Sequence, residues 1–311
     1  MIGSQTRSWS GLFQGTLILS LLLLLTGIAQ AQTTRQALES TLAMRRMTQP
    51  ADAAPDPLYD FYARRNFQPA WTGSARAENA AALVIGTLAE SDAQGLRPAD
   101  YAATATRWNT PPETGAAAAA YDLSLTEDLL RYARDVRLGR VTPSRVYTDV
   151  ALPSRLFDAG PALNKALADN RLDAFLKDLP PPHAEYRALV AALARYRERE
   201  ANGGWLPLSR GTDTLSLTIR LAAEDSVLAT NPFPSDDELR QAVMRFQIRN
   251  GLAADGRVGA ETLAALNVPI KARIDQIVAN LERWRWLPRQ FEDRTIRVNV
   301  PDQLVGYYRG D

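Results

Sequence analysis

SDDELRQAVMRFQIRNGLAADGRVGAETLAALN, residues 235–267, reads as two short helices around a fixed turn. Leu239, Ala242, Val243 and Phe246 recur at i, i+3, i+4 and i+7 and so predict one apolar helix face. Ser235 followed three residues later by Glu238 predicts a reciprocal cap at the start, with further acid in the first turn. Gly251 stands just past the last turn, where a left-handed residue closes many helices. Asp255-Gly256 supplies a tight turn, and Gly259 opens a second short helix carrying Thr262, Leu263 and Leu266. An earlier segment, Leu215 to Ala223 with Leu217 and Leu221 spaced by four, predicts a helix ahead of these two.

Val243, Phe246-Gln247, Asn250-Gly251-Leu252, Asp255-Gly256, Gly259, Thr262-Leu263 and Leu266-Asn267, in that order, resemble the three-helix peptidoglycan-binding module. Residues 205–268 are assigned to it, and the resemblance implies peptidoglycan as partner. Gln247, Arg249, Asn250, Asp255 and Arg257 are the candidate ligand contacts, because their amides, carboxylate and guanidinium groups can meet glycan and peptide groups. The competing reading has the same five residues capping the turn and facing solvent.

Toward the C-terminus, Ile270, Ile274, Ile277, Leu281 and Trp284 predict a long helix with one inward stripe, ending near Trp286-Leu287-Pro288. Thr295 to Val300 then alternates apolar and polar as a half-buried strand does, Pro301-Asp302 turns it, and Leu304 to Tyr308 reads as the next strand. Ile296, Val298 and Val300 give that hairpin an apolar face, and a lone two-stranded hairpin is marginal in water. Residues 269–311 are therefore expected to be a connecting helix and the first hairpin of an incomplete β-rich domain. Leu281-Glu282-Arg283-Trp284-Arg285-Trp286-Leu287-Pro288 and Val298-Asn299-Val300-Pro301 resemble the entry to the catalytic domain of the L,D-transpeptidases.

Toward the N-terminus, Gly203-Gly204-Trp205-Leu206-Pro207-Leu208 is a turn cluster marking a boundary. Before it, five helical stripes follow one another: Leu58/Phe61/Tyr62, Ala80/Leu83/Val84/Leu88, Leu125/Leu129/Tyr132/Val136, Leu172/Phe175/Leu176/Leu179 and Tyr186/Leu189/Val190/Leu193. Short loops between them predict an irregular α bundle over 57–204. Phe61-Tyr62, Pro69-Ala70-Trp71, Gly95 to Tyr101, Leu125-Thr126, Tyr132, Asp135, Gly139-Arg140, Pro143, Pro181, Tyr186 and Leu189 resemble the scaffold domain of the large L,D-transpeptidases. Trp71 and Tyr101 are expected in the core or at a domain contact, Trp284 and Trp286 between domains, and His183 in solvent near a helix start.

Arg7, the apolar run Leu12 to Ile28 and Ala29-Gln30-Ala31 read as a secretory signal peptide over 1–31, so the mature chain is expected to be exported with no membrane span of its own. Residues 32–56, ending in QPADAAPDP, are expected to be a flexible leader, or a loosely packed helix, and a linker. The 311 residues hold 36 basic and 35 acidic side chains, net +1, without the basic footprint of a nucleic-acid binder. Zero cysteines exclude disulfides and thiolate metal sites, one histidine excludes mechanisms that need two, and no cofactor motif is present.

The fold expected is mainly α: a helical scaffold bundle, a three-helix peptidoglycan-binding module, a long helix and a hairpin. The resemblance implies a cysteine thiolate that attacks a donor stem peptide, forms a thioester and passes it to an acceptor amine. No catalytic residue for that chemistry is identified here, since the chain has no cysteine. Three readings compete. One is an L,D-transpeptidase of the Gram-negative periplasm lacking its catalytic part, and another is a non-catalytic peptidoglycan-binding or scaffold protein of the envelope. The third is a wall hydrolase using the same module. For the last, a zinc peptidase fails on one histidine, and no motif singles out a glycosidase carboxylate pair.

Overall fold

A computed structural model describes residues 33–50, 52, 54–108, 110–113, 115–147, 156–299 and 304–309. The expected signal peptide over 1–31 and the turn at Pro301-Asp302 lie outside these residues. Among them the fold is mainly helical, with a single two-stranded sheet near the C-terminus. No helix is long and apolar enough to cross a membrane among the described residues. The chain divides between Pro181 and Pro182 into two compact units.

The N-terminal unit is built on α5 (Gly115–Leu138), which packs against α2 (Pro57–Ala63), α3 (Ala75–Ala89), α4 (Ala103–Arg107) and α6 (Ala159–Ala168). A first helix, α1 (33–47), precedes them, and α7 (Leu172–Asp178) packs on α6. The expected stripe of α5, Leu125, Leu129, Tyr132 and Val136, is buried, as is that of α2. In α3 the buried face is Ala81, Val84 and Leu88, and Leu83 points outward. Trp71 and Tyr101 are core residues. Of the two alternatives for the leader, residues 33–47 form the helix, and it is firmly packed: Leu38 and Leu42 lie one turn apart and are both fully buried in the core of the unit. The unforeseen helix α6 starts at the N-cap Asp158, whose carboxylate accepts from Gly160 N, and it buries Leu163. The Ala116–Ala120 run is helical from the start of α5 and buries Ala118 and Ala119.

Three aspartates on α5 fix the segments that cross it. Asp122 is fully buried. Its Oδ1 accepts from Ala70 N at 2.8 Å and from the Tyr62 hydroxyl at 2.7 Å. Its Oδ2 accepts from Trp71 N at 2.8 Å and from the Thr72 hydroxyl at 3.3 Å. Thr126 closes the group by accepting from Trp71 Nε1 at 2.8 Å. Asp128 accepts from the backbone and hydroxyl of Thr104, and Asp135 accepts from the Tyr101 hydroxyl. Burial pushes Asp122 above the ordinary carboxylate value, against the pull of the amides of Ala70 and Trp71 and the hydroxyl of Tyr62.

The C-terminal unit begins with α8 (Ala184–Ala201), which packs along α13 (Ile270–Arg285). The fifth apolar stripe therefore meets the stripe of α13, with Tyr186, Leu193, Ile274 and Leu281 at the centre of the contact. Between these helices the chain forms α9 (Thr214–Ala222), α10 (Ser226–Ala229), α11 (Asp236–Arg249) and α12 (Ala260–Leu266). The three expected helices of the module are α9, α11 and α12; α10 is an additional single turn held by Asp225 at its N-cap. Leu217, Leu221, Leu228, Ala242, Val243, Phe246 and Leu266 form its core. The reciprocal cap between Ser235 and Glu238 is present at the start of α11. At the module's two ends, Trp205 Nε1 donates to Val268 O at 3.0 Å, and the Asn267 amide exchanges two hydrogen bonds with the Leu208 backbone.

His183 corrects the expectation of a solvated histidine. It is 8 % exposed, its Nε2–H donates to Pro288 O at 2.9 Å, and its ring packs on Phe291 and Trp284. Strands β1 (Arg294–Asn299) and β2 (Leu304–Arg309) pair antiparallel, with Ile296 opposite Tyr307 and Val298 opposite Val305. That face is open, with Ile296 67 % and Val305 70 % exposed.

Replacing Asp122 by Ala leaves the amides of Ala70 and Trp71 and the Tyr62 hydroxyl without their acceptor inside the core. The expected loss is roughly 3–5 kcal/mol for the N-terminal unit, read as a fall in its urea midpoint by circular dichroism, with Asp122→Asn losing less.

Candidate functional site

Two features of the C-terminal unit bring the candidate residues together. The first is the turn between α11 and α12. Gln247, on the last turn of α11, is 2 % exposed and uses both ends of its carboxamide. Oε1 accepts from Gly256 N at 2.9 Å. Nε2 lies 2.8 Å from Asp255 Oδ1, 2.9 Å from Arg257 O and 3.0 Å from Thr262 Oγ1. Asp255 Oδ1 accepts from Arg257 N as well, and these donors hold its carboxyl below the usual range, the Arg257 amide first. Gly256 has φ +72°, and a Cβ there would sit 2.6 Å from Arg240 Cγ and 3.3 Å from Arg240 O. Only glycine suits this position. Gln247 therefore holds the turn, while the side chains of Asp255 and Arg257 stand at the surface beside it.

The second feature is a cleft of about 1060 Å³ formed within the C-terminal unit by α8, α9, α10, α11 and α13. Arg249 and Asn250 line it, but Gln247, Asp255 and Arg257 do not, so the five candidates fall into two groups. Asn250 is half-buried: its Nδ2 donates to Phe246 O at 2.9 Å and its Oδ1 accepts from Arg273 Nη2 at 2.8 Å. Arg273, from α13, also donates to Ala265 O at 3.1 Å, and its buried Nε has no acceptor among the described residues.

The floor of this region is an ionic network. Arg220, 2 % exposed, donates from Nη1 to Glu224 Oε2 at 2.8 Å and from Nε to Leu266 O at 2.8 Å. Its guanidinium carbon lies 3.9 Å from the centre of the Trp205 ring, a cation–π contact that covers the charge. The Tyr196 hydroxyl donates to Glu224 Oε1. Burial pushes the Glu224 carboxyl upward, but Arg220, the Tyr196 hydroxyl and Arg273 outweigh it and hold the group below its ordinary 4.5. Burial and the neighbouring Glu224 push the Tyr196 hydroxyl up. Asp225 accepts from the amides of Val227 and Leu228 and, at 2.8 Å, from Arg245 Nε; Arg249 Nη1 lies 3.8 Å away. Burial raises Asp225 too, and Arg245 with those amides brings it below its ordinary 3.8.

Arg195, Arg199, Tyr196, Glu224 and Arg273 were not singled out by the sequence. The signal that could have found the first two is their i, i+4 spacing on α8, which puts both on one helix face. The others come from helices whose proximity is set by packing.

Comparison with known families gives two matches. The family described as "Scaffold domain" matches residues 56–193, and the family described as "Putative peptidoglycan binding domain" matches residues 234–266. No curated protein matches the chain. The second match spans α11, the turn held by Gln247 and α12, and the first ends within α8. Together they support a cell-wall-associated, peptidoglycan-binding role.

Gln247→Ala is expected to destabilise the module by about 2 kcal/mol and to speed hydrogen exchange at the Gly256 amide, measured by NMR. A second expectation concerns pH. Glu224 is depressed in the folded state, so the stability it contributes is fully present above its ordinary 4.5 and is lost as pH falls through the folded value. The melting temperature of the Glu224→Gln variant should therefore lie below that of the native chain at neutral pH. The gap should narrow as the pH drops below 4.5, in paired thermal melts.

Proposed function

We propose that the chain is the scaffold and wall-binding portion of an L,D-transpeptidase of the Gram-negative periplasm, exported by the signal peptide at 1–31. The observation that carries this reading is the succession, in one chain, of a scaffold match at 56–193 and a peptidoglycan-binding match at 234–266. The tryptophan-rich end of α13 and the hairpin after it support it, since both resemble the entry to that family's catalytic domain. On the hairpin, Ile296, Val298, Val305 and Tyr307 make one contiguous exposed apolar face, as the cross-strand pairs require. Such a face suits packing against further β structure.

In this role the module holds the protein on peptidoglycan, and stem-peptide cross-linking is the reaction of the family. The chain's 311 residues include no cysteine, so they do not themselves supply the thiolate that forms the thioester. That same observation favours a second reading, a non-catalytic peptidoglycan-binding protein of the envelope. The coding DNA beyond codon 311 separates the two: an in-frame Ser-His-Gly-Cys type motif is expected on the first reading, and its absence selects the second.

The binding role itself is tested by sedimentation with purified sacculi. The chain is expected in the pellet with the wall, and Gln247→Ala, which loosens the turn, is expected to reduce its share. Recovery no greater than that of an unrelated protein of similar charge would overturn the role.

A further inference from the structure

We propose that the cleft of the C-terminal unit receives a peptide bearing two carboxylates, with Arg195 and Arg199 of α8 as its anion-holding pair. The inference rests on the wall-binding reading above and names the ligand chemistry for one site. Four arginines line the cleft, Arg195, Arg199, Arg249 and Arg273, against three carboxylates, Glu198, Glu224 and Asp225. Two of the three are already engaged by arginines outside the lining, Glu224 by Arg220 and Asp225 by Arg245. The cleft is left with an excess of positive charge.

That excess is concentrated on α8. Arg195 and Arg199 are exposed, and neither makes an ion pair with Glu198 or with any other described residue. Four residues apart on one helix, their Cβ atoms stand about 6 Å from each other. Two guanidinium groups at that spacing match two separate single charges better than one compact one. Each offers the planar pair of N–H donors that suits a carboxylate.

The remaining lining fits a peptide backbone. Asn202, Gln276 and Asn280 bring side-chain amides to the same space, and its volume of about 1060 Å³ is ample for a short peptide.

The test is isothermal titration of the full chain with a soluble wall stem peptide carrying free carboxylates. The same peptide with its carboxylates amidated, and inorganic phosphate, serve as the other arms. The free acid is expected to bind, more weakly as salt rises. Amidation, or the double variant Arg195→Gln/Arg199→Gln, should weaken it at least about tenfold, and Arg195→Lys/Arg199→Lys should lose less. Both arginines are exposed, so the variants should melt as the native chain does. Equal binding of acid and amide, unchanged binding by the double Gln variant, displacement by millimolar phosphate, or no binding of the free acid would each overturn the proposal. Sedimentation with sacculi in parallel separates the two failures. A chain that pellets with the wall yet ignores the peptide keeps its wall-binding role and loses this site.

Discussion

A carboxylate removed from water must find donors inside the protein, and Asp122 meets that demand with the Tyr62 hydroxyl near the end of α2 and three donors, from Ala70, Trp71 and Thr72, in the segment between α2 and α3. The segment Tyr62–Thr72 has no regular structure over most of its length, so this side chain does for it what a helix ladder does elsewhere. Asp128 and Asp135 repeat the device further along α5 for the Tyr101–Thr104 region. The N-terminal unit is thus a long helix whose buried acids fix the loops crossing it, with apolar packing filling the space between.

The same physics recurs in the C-terminal unit with a neutral group. Gln247 offers an acceptor to Gly256 and donors to the far side of the turn, so a stretch without helix is pinned from its middle. A residue so fully employed has little left for a ligand. Further polar groups lie around the cleft, where Arg249 comes from the module and Arg195 and Arg199 from α8. On the proposed cleft site, recognition of wall material draws on the helix pair that flanks the module as well as on the module, and the family match over 234–266 covers only part of the surface concerned.

The parts legible in the sequence were those governed by near neighbours. Periodicity located α2, α5, α9, α11 and α13, and the Ser235/Glu238 pair announced the start of α11, because both are set within a turn or two of helix. α6 escaped because Gly160 and Pro161 interrupt its apolar pattern, yet Pro161 lies in the first turn, where its missing N–H costs nothing. For α1 a helix was one of two alternatives, but its docking was not legible, because the Ala-, Thr- and Arg-rich composition hid the pair Leu38/Leu42 that anchors it. His183 was placed in solvent because nothing local tells that Trp284 and Phe291, a hundred residues on, fold over it. The candidate contacts were half legible for the same reason: Gln247, Asp255 and Arg257 are close in sequence, but the cleft exists only once α8 and α13 have met.

That meeting has a consequence for how the chain is assembled. The start of α8 lies beside the end of α13, through His183 and Pro288, and the end of α8 beside the start of α13, through Gly204 and Ile270. The two helices run antiparallel, and everything from Trp205 to Val268 leaves and re-enters at one place, closed by the Trp205 indole on Val268 O. Such a segment can be gained, lost or exchanged in evolution as a cassette, because a short bridge from Gly204 to Pro269 would rejoin the helical hairpin without moving either arm.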